Sequence, residues 1–304
     1  METTTVFRYS TAAEMRAELE ATWAVLDQLI AAVPSARWTR KYGPDWTYQD
    51  VPYHLAYFDR VMVADAIEAG PALPVADRFE CLSIRQLNDW NRAEFAKRPV
   101  GQTPQESIAE MLRQRDRIRR LIANMTDADL ERPAFSHFFG VGFSTVGAAL
   151  AGARQHAFSE GWELAQRLGR PEIRFPESVV HAGVGSYVQL MGSMLNREAA
   201  AAVRQFTIVM DMPGFGGGAW TIRIARALAT VTEAHTAEAD LVMTLSTDTF
   251  MRMFKKLSNP LVLMLTGKTR VKGFSKMGLF GKLFPQPELD APLRLEPDAA
   301  AAAA

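Results

Sequence analysis

Five histidines occur in this chain of 304 residues: His54, His137, His156, His181 and His235. Two of them fall where a helical pattern turns them inward. His54 shares a face with Val51, Leu55, Phe58 and Met62. His156 and Glu160 are four residues apart, which stacks their side chains on one helix face. That face also carries Leu150, Ala153 and Leu164, so the pair points inward too. Two imidazoles and a carboxylate converging from two helices suit a divalent ion held on one side and open on the other. A plainer reading competes from spacing alone. An inward histidine is more often a satisfied core residue, and a His/Glu pair at this spacing is common by chance.

Other chemical signals are poorer. Phe215 to Gly218 lacks the Gly-Lys-Ser/Thr ending of a phosphate loop and reads as a turn between strands. Thr266-Gly-Lys-Thr269 lacks the earlier glycine and leads into a strand, and no Gly-x-Ser-x-Gly elbow is present. Arg113 to Arg120, with five arginines and Asp116, reads as a solvated helix face. His137, among Phe135, Phe138 and Phe139, reads as part of a loop before the last bundle helix, where it would cover the site or pack beside it.

The elements that must position the inward residues are helices in the first half. Thr11-Ala-Ala-Glu14 is a capping box, followed by Met15, Leu19, Thr22, Leu26, Ile30 and Val33 at helical spacing up to Pro34. Thr47-Tyr-Gln-Asp50 opens a second helix through Ile67, and Ser83-Ile-Arg-Gln86 opens a third. Thr103-Pro-Gln-Glu106 opens a fourth, with Pro104 where a first-turn proline is tolerated. A last helix covers about Thr145 to Leu168 and stops at Gly169-Arg-Pro171. Long helices with short connections describe an all-α up-down bundle over residues 1–172.

After Pro176 the period changes. A helix over Glu177 to Leu195 precedes strand patterns at Phe206–Asp211, Trp220–Ile224, Leu228–Thr232, Leu241–Leu245 and Lys268–Lys272. Pro213 to Gly218 is a glycine-rich hairpin turn, Thr247 to Leu257 a helix, and Phe274 to Phe284 a short amphipathic helix. Residues 173–290 therefore read as a second domain, α+β with an antiparallel sheet. Residues 291–304 read as a tail, with the closing alanines frayed.

Composition bounds the partners. Apolar residues make up 48% and charged residues 22%, close to ordinary globular proteins. Thirty-four basic residues balance thirty-four acidic ones, so no global field favours nucleic acid or an anionic membrane. Locally, Lys255 to Lys282 gathers most C-terminal lysines and next to no acid, which allows a basic face. A single cysteine, Cys81, forms no intramolecular disulfide and suits a cytoplasmic location. The first residues do not read as a secretory signal, and apolar stretches such as Leu261 to Leu265 are far too short to span a bilayer.

Two resemblances sharpen this. Asp45 to Asp59, with Trp46 in a turn and His54 on the helix that follows, resembles the opening motif of the DinB-like superfamily. Arg154-Gln-His156-Ala-Phe-Ser-Glu160, running on to Leu168-Gly169, resembles the helix carrying that superfamily's other two ligands. The resemblance covers about residues 10–170 and implies a divalent metal, zinc or nickel first and iron as a third option, on His54, His156 and Glu160. Members commonly carry His-x3-His, and the mycothiol-dependent maleylpyruvate isomerase branch Glu-x3-His; here histidine comes first. Asp240 to Phe250 and Leu265 to Gly273 resemble the sterol carrier protein family over about residues 176–285. That likeness implies an apolar tunnel, lined by Met191, Met194, Phe206, Met243, Phe250, Met253, Phe254 and Met264, although each also suits an ordinary core.

The expected function is a metal-dependent enzyme of the thiol-dependent transferase or isomerase type, using a low-molecular-weight thiol and acting on a hydrophobic small molecule. In the isomerase branch the second domain lends an arginine to the site; Arg223 and Arg226 are candidates that no motif anchors. The competing expectation is a non-enzymatic carrier of a lipid or other apolar ligand, with the bundle as a docking or homodimer module.

Overall fold

The computed structural model describes residues 11–43, 46–70, 84–138 and 141–285. Asp45, Cys81, Ser83, Phe139 and the tail 291–304 lie outside the described residues. The described residues fall into two compact units, one running to Phe175 and the other starting at Pro176.

The first unit is built on helices whose ends are written in the sequence. The first, α1, spans Ala12–Ala31; Thr11 accepts from the Glu14 amide while Glu14 accepts from Thr11, the reciprocal cap that satisfies two free N–H groups. Its stripe of Met15, Leu19, Thr22, Leu26 and Ile30 is buried. The second helix begins as α2, Asp50–Phe58, where Asp50 accepts from both the amide and the hydroxyl of Thr47. It does not continue as one regular helix to Ile67. A π-helical segment occupies Asp59–Ala64 before α3, Asp65–Ala69. The wider turn admits an extra residue and re-aims the side chains that follow it, a device frequent near functional sites.

Next come α4, Ile84–Ala96, and α5, Pro104–Ile122, the latter with the Thr103/Glu106 box and Pro104 in its first turn. A short α6, Asp127–Leu130, leads to strands β1, Pro133–Phe138, and β2, Val141–Thr145. These pair antiparallel, His137 opposite Gly142. His137 thus stands in a hairpin strand rather than in a loop.

The last helix of the unit, α7, spans Val146–Leu168, starts on the Thr145 hydroxyl and ends at Gly169 in the left-handed region (φ 68°). From Val146 to Ser159 every residue is buried. Gly147, Ala148, Ala149, Ala151, Gly152 and Ala153 let neighbours approach on all sides, so α7 is the central helix. It packs on α1, where Arg154 pairs with Glu18.

The Arg113–Arg120 face is only partly solvated, contrary to the expectation from its charge. Arg113 and Arg120 are exposed, and Arg117 and Arg119 reach Glu68 and Glu20. Arg115, however, has no exposed surface; it bonds Asp27 at 2.5 Å and lies 3.5 Å from Asp59. The helical period accounts for it, because position 115 falls in line with the buried Met111, Ile118 and Ile122.

The second unit opens with α8, Glu177–Ser193, and a short α9, Arg197–Ala201. Its sheet holds β3 (Gln205–Met212), β4 (Gly218–Ala225), β5 (Leu228–Thr232), β6 (Leu241–Leu245) and β7 (Thr269–Lys272) in the order β5-β4-β3-β6-β7. The expected antiparallel pairing holds for β3–β4, β4–β5 and β6–β7, while β3 and β6 run parallel, so the sheet is mixed. At the β3–β4 turn a Cβ on Gly217 would lie 1.8 Å from the Met212 carbonyl oxygen, so only glycine fits. Between β6 and β7 lie α10, Thr247–Phe254, and α11, Pro260–Leu265; α12, Met277–Leu283, closes the unit. Phe206, Ile208, Met210, Trp220, Ile222 and Phe250 form its core.

Candidate metal centre

Helix α2 puts His54 and Phe58 on one face, a turn apart, with Tyr57 beside them. His54 is 6% exposed and His156, on α7, is 8% exposed. Their Nε2 atoms face each other at 2.9 Å. Glu160, half-buried, follows one turn after His156, and one ligating atom from each of the three residues lies within 4.8 Å of the others. The structure thus brings together all three residues that the sequence singled out.

The surroundings hold these rings in place. Phe58 lies flat on His156, ring centroids 3.7 Å apart and planes 14° from parallel. Trp46 sets its edge against His54 at 4.6 Å, and Phe95 packs on Trp46 at 4.9 Å. Such aromatic pairs contribute about 0.5–1.5 kcal/mol each beyond their buried area.

A hydrogen-bond relay runs behind His54. The Tyr57 hydroxyl donates to Asn91 Oδ1 at 2.5 Å, so its oxygen is left to accept from His54 Nδ1–H, also at 2.5 Å. Burial raises the Tyr57 pKa far above the ordinary phenol value, with further lifting by Glu94 and Glu160, so the hydroxyl stays protonated and keeps donating. Assigned from this network, the His54 tautomer carries its proton on Nδ1 and turns the Nε2 lone pair toward His156 and Glu160.

That arrangement fits a metal. A ligating histidine ordinarily gives its second N–H to a fixed acceptor, which orients the ring and raises its basicity. With bonds of about 2.0–2.1 Å, a tetrahedral ion sets its ligand atoms about 3.3 Å apart. The spacings here, 2.9 Å between the imidazoles and up to 4.8 Å within the group, bracket that value. The His-then-Glu order is no obstacle, since either order at four residues places both groups on the same helix face.

Sequence reasoning missed three contributors. Tyr57 and Asn91 form the relay, and their meeting depends on how α4 packs against α2. Tyr42 is the third. Its hydroxyl is buried without a hydrogen-bond partner among the described residues, and its pKa is raised well above the usual value by burial, then by Glu160 and Glu163. The Arg167 guanidinium lies over its ring at 4.7 Å. Tyr57 also borders a cleft of about 530 Å³, walled in part by Tyr53, Arg60, Glu110 and Arg113.

None of the apolar residues expected to line a tunnel is exposed. Phe206, Met243 and Phe250 are buried in the core of the second unit, while Met191, Met194 and Phe254 are half-buried. Phe254 meets Tyr187 at 4.3 Å and Phe250 at 6.0 Å, at the seam between α8 and α10. Arg223 is exposed on β4, and Arg226 lies in the β4–β5 turn at φ 52°. His181 takes a structural place, with its ring nitrogens against the Gly217 carbonyl at 2.8 Å and Glu233 at 2.9 Å.

The architecture is a helical bundle with a buried two-histidine, one-carboxylate group, followed by an α+β unit. Residues 18–159 match the model of the DinB superfamily, and residues 189–283 that of the SCP-2 sterol transfer family. Among solved structures, a mycothiol-dependent maleylpyruvate isomerase is similar at 11% identity, over 80% of this chain and 90% of that one, with a TM-score of 0.47. Sterol carrier protein 2 from Yarrowia lipolytica, in its apo form, is similar at 19% identity, over 34% of this chain and 93% of that one, with a TM-score of 0.27. No curated protein matches the chain. Among the described residues no helix is long and apolar enough to cross a membrane.

Proposed function

We propose that His54, His156 and Glu160 hold a divalent ion, zinc or nickel before iron, and that the protein is a thiol-dependent transferase or isomerase. The observation that carries this reading is the convergence of the three ligating atoms within 4.8 Å, with His54 held by the Tyr57–Asn91 relay. The match of residues 18–159 to the DinB superfamily supports it. A bound ion would supply Lewis acidity toward a substrate oxygen, or would favour the thiolate of a low-molecular-weight thiol.

The chain's own residues would do the rest. Tyr57 and Asn91 fix the His54 ring, Phe58 fixes that of His156, and Trp46 with Phe95 keeps water from one side of His54. Tyr42 stays a neutral hydroxyl near Glu160. The match of residues 189–283 to the SCP-2 sterol transfer family supports a hydrophobic small molecule or lipid as the ligand of the second unit, at the Tyr187–Phe250–Phe254 seam.

Elemental analysis of protein purified without an affinity tag tests the metal. We expect one ion per chain, lost in His54→Ala and His156→Ala. Protein free of metal, with melting unchanged in both variants, would refute the enzyme reading. If an apolar ligand co-purified with such metal-free protein, the chain would be a carrier instead.

A further inference from the structure

We propose that α11, β7 and α12 present a docking surface for an anionic lipid bilayer. Nine large apolar residues are exposed among the described residues, and five of them lie within Leu257–Phe274. Helix α11 is the centre of that group. Leu261, Val262 and Leu265 are 56%, 53% and 79% exposed, while Leu263, on the opposite face, is 3% exposed and anchors the helix. Phe274, two residues beyond β7, is 64% exposed, and α11 packs against β7.

Charge points to the partner. Between Lys255 and Pro285 the chain has seven lysines and arginines and no carboxylate, although the whole chain has net charge zero. Lys256, Lys268, Arg270, Lys272, Lys276 and Lys282 are all exposed. None of these six forms an ion pair with a carboxylate among the described residues. Aliphatic side chains flanked by cations whose stems also lie on apolar surface are what an interfacial segment requires.

Edge protection covers only part of this pattern. β7 is an edge strand, and cations on an edge discourage pairing with another chain. That accounts for Arg270 and Lys272, but not for the apolar face of α11, nor for Lys276 and Lys282. A second copy is disfavoured because two such faces would bring like charges together. Nucleic acid is a poor fit for a surface of leucine and valine, which offers aliphatic groups where bases stack on aromatic ones.

Sedimentation of the full-length protein with vesicles tests this, using phosphatidylcholine alone and equal parts phosphatidylcholine and phosphatidylserine. Binding is expected on the anionic vesicles only, and it should weaken as salt screens the charges. Replacing three cations together (K268Q, R270Q, K272Q) should lower the partition coefficient about a hundredfold, since each cation near an anionic surface contributes about fivefold. The pair L261S and L265S should lower binding while leaving its salt dependence unchanged. All five positions are exposed, so melting temperatures should hold and would confirm folding. Equal binding to both vesicle types, or none to the anionic ones at low salt, would overturn the proposal. So would self-association abolished by L261S and L265S, which would give the surface to a second copy.

Discussion

The buried Asp59–Arg115 pair should make the first unit lose stability as pH rises through the weakly acidic range. Asp59 opens the π-helical segment, is 2% exposed, and stands 3.5 Å from Arg115 Nε. Burial pushes its pKa from 3.8 to about 6; Arg115 pulls down against that shift and Asp27 adds to it. Desolvation therefore outweighs the ion pair, as is common for buried charges in imperfect geometry. The folded state binds the Asp59 proton more tightly than the unfolded state does. Its contribution is full below about pH 4 and is lost as pH rises through about 6. A shift of roughly two units corresponds to about 3 kcal/mol. Asp59→Asn keeps the shape and removes the titration. The variant should match the wild type near pH 4 and exceed it by about 3 kcal/mol near pH 7. Urea unfolding followed by tryptophan fluorescence reads the correct unit, since five of the six tryptophans precede Pro176. Parallel pH profiles for the two proteins would refute the reasoning. They would mean that Arg115 compensates the buried carboxylate fully.

Three further outcomes follow from specific contacts. Tyr57→Phe removes the acceptor that fixes the His54 tautomer and should weaken metal binding about 10- to 100-fold, read by competition with a chelator. Gly217→Ala forces a Cβ against the Met212 carbonyl oxygen and should cost about 2 kcal/mol or more, seen as a lower melting temperature of the second unit. Thr103→Ala removes one half of the α5 capping box and should cost about 1 kcal/mol, with no change in metal content.

What is legible in the sequence is what is local. Capping boxes at Thr11 and Thr103, the Gly169 terminator and the strand patterns of the second unit depend on neighbours within a few residues. Each reappears in the structure within a residue or two. What depends on distant packing is not legible. No local pattern separates a parallel β3–β6 pair from an antiparallel one, because the paired residues, such as Ile208 and Leu241, lie far apart in the chain. The π-helical segment at Asp59 reads as ordinary helix, since its apolar residues keep helical spacing. Arg115 reads as solvated only when charge is weighed above period; its place in line with Met111 and Ile118 already marks it as inward.

The site divides along the same line. Four-residue spacing puts His156 and Glu160 on one face, but nothing local states which nitrogen of His54 carries its proton. That is decided by Tyr57 and Asn91, residues on two different helices, and it decides what the site can do. With the proton on Nε2, His54 would donate to His156 and the pair would be a satisfied core contact. With the proton on Nδ1, held by a phenol that burial keeps neutral, the lone pair faces His156 and Glu160, and two imidazole nitrogens meet at 2.9 Å. In that state either His156 donates across the gap or a cation lies in it. The function proposed above takes the second arrangement, in which Glu160 beside the two imidazoles completes a ligand set.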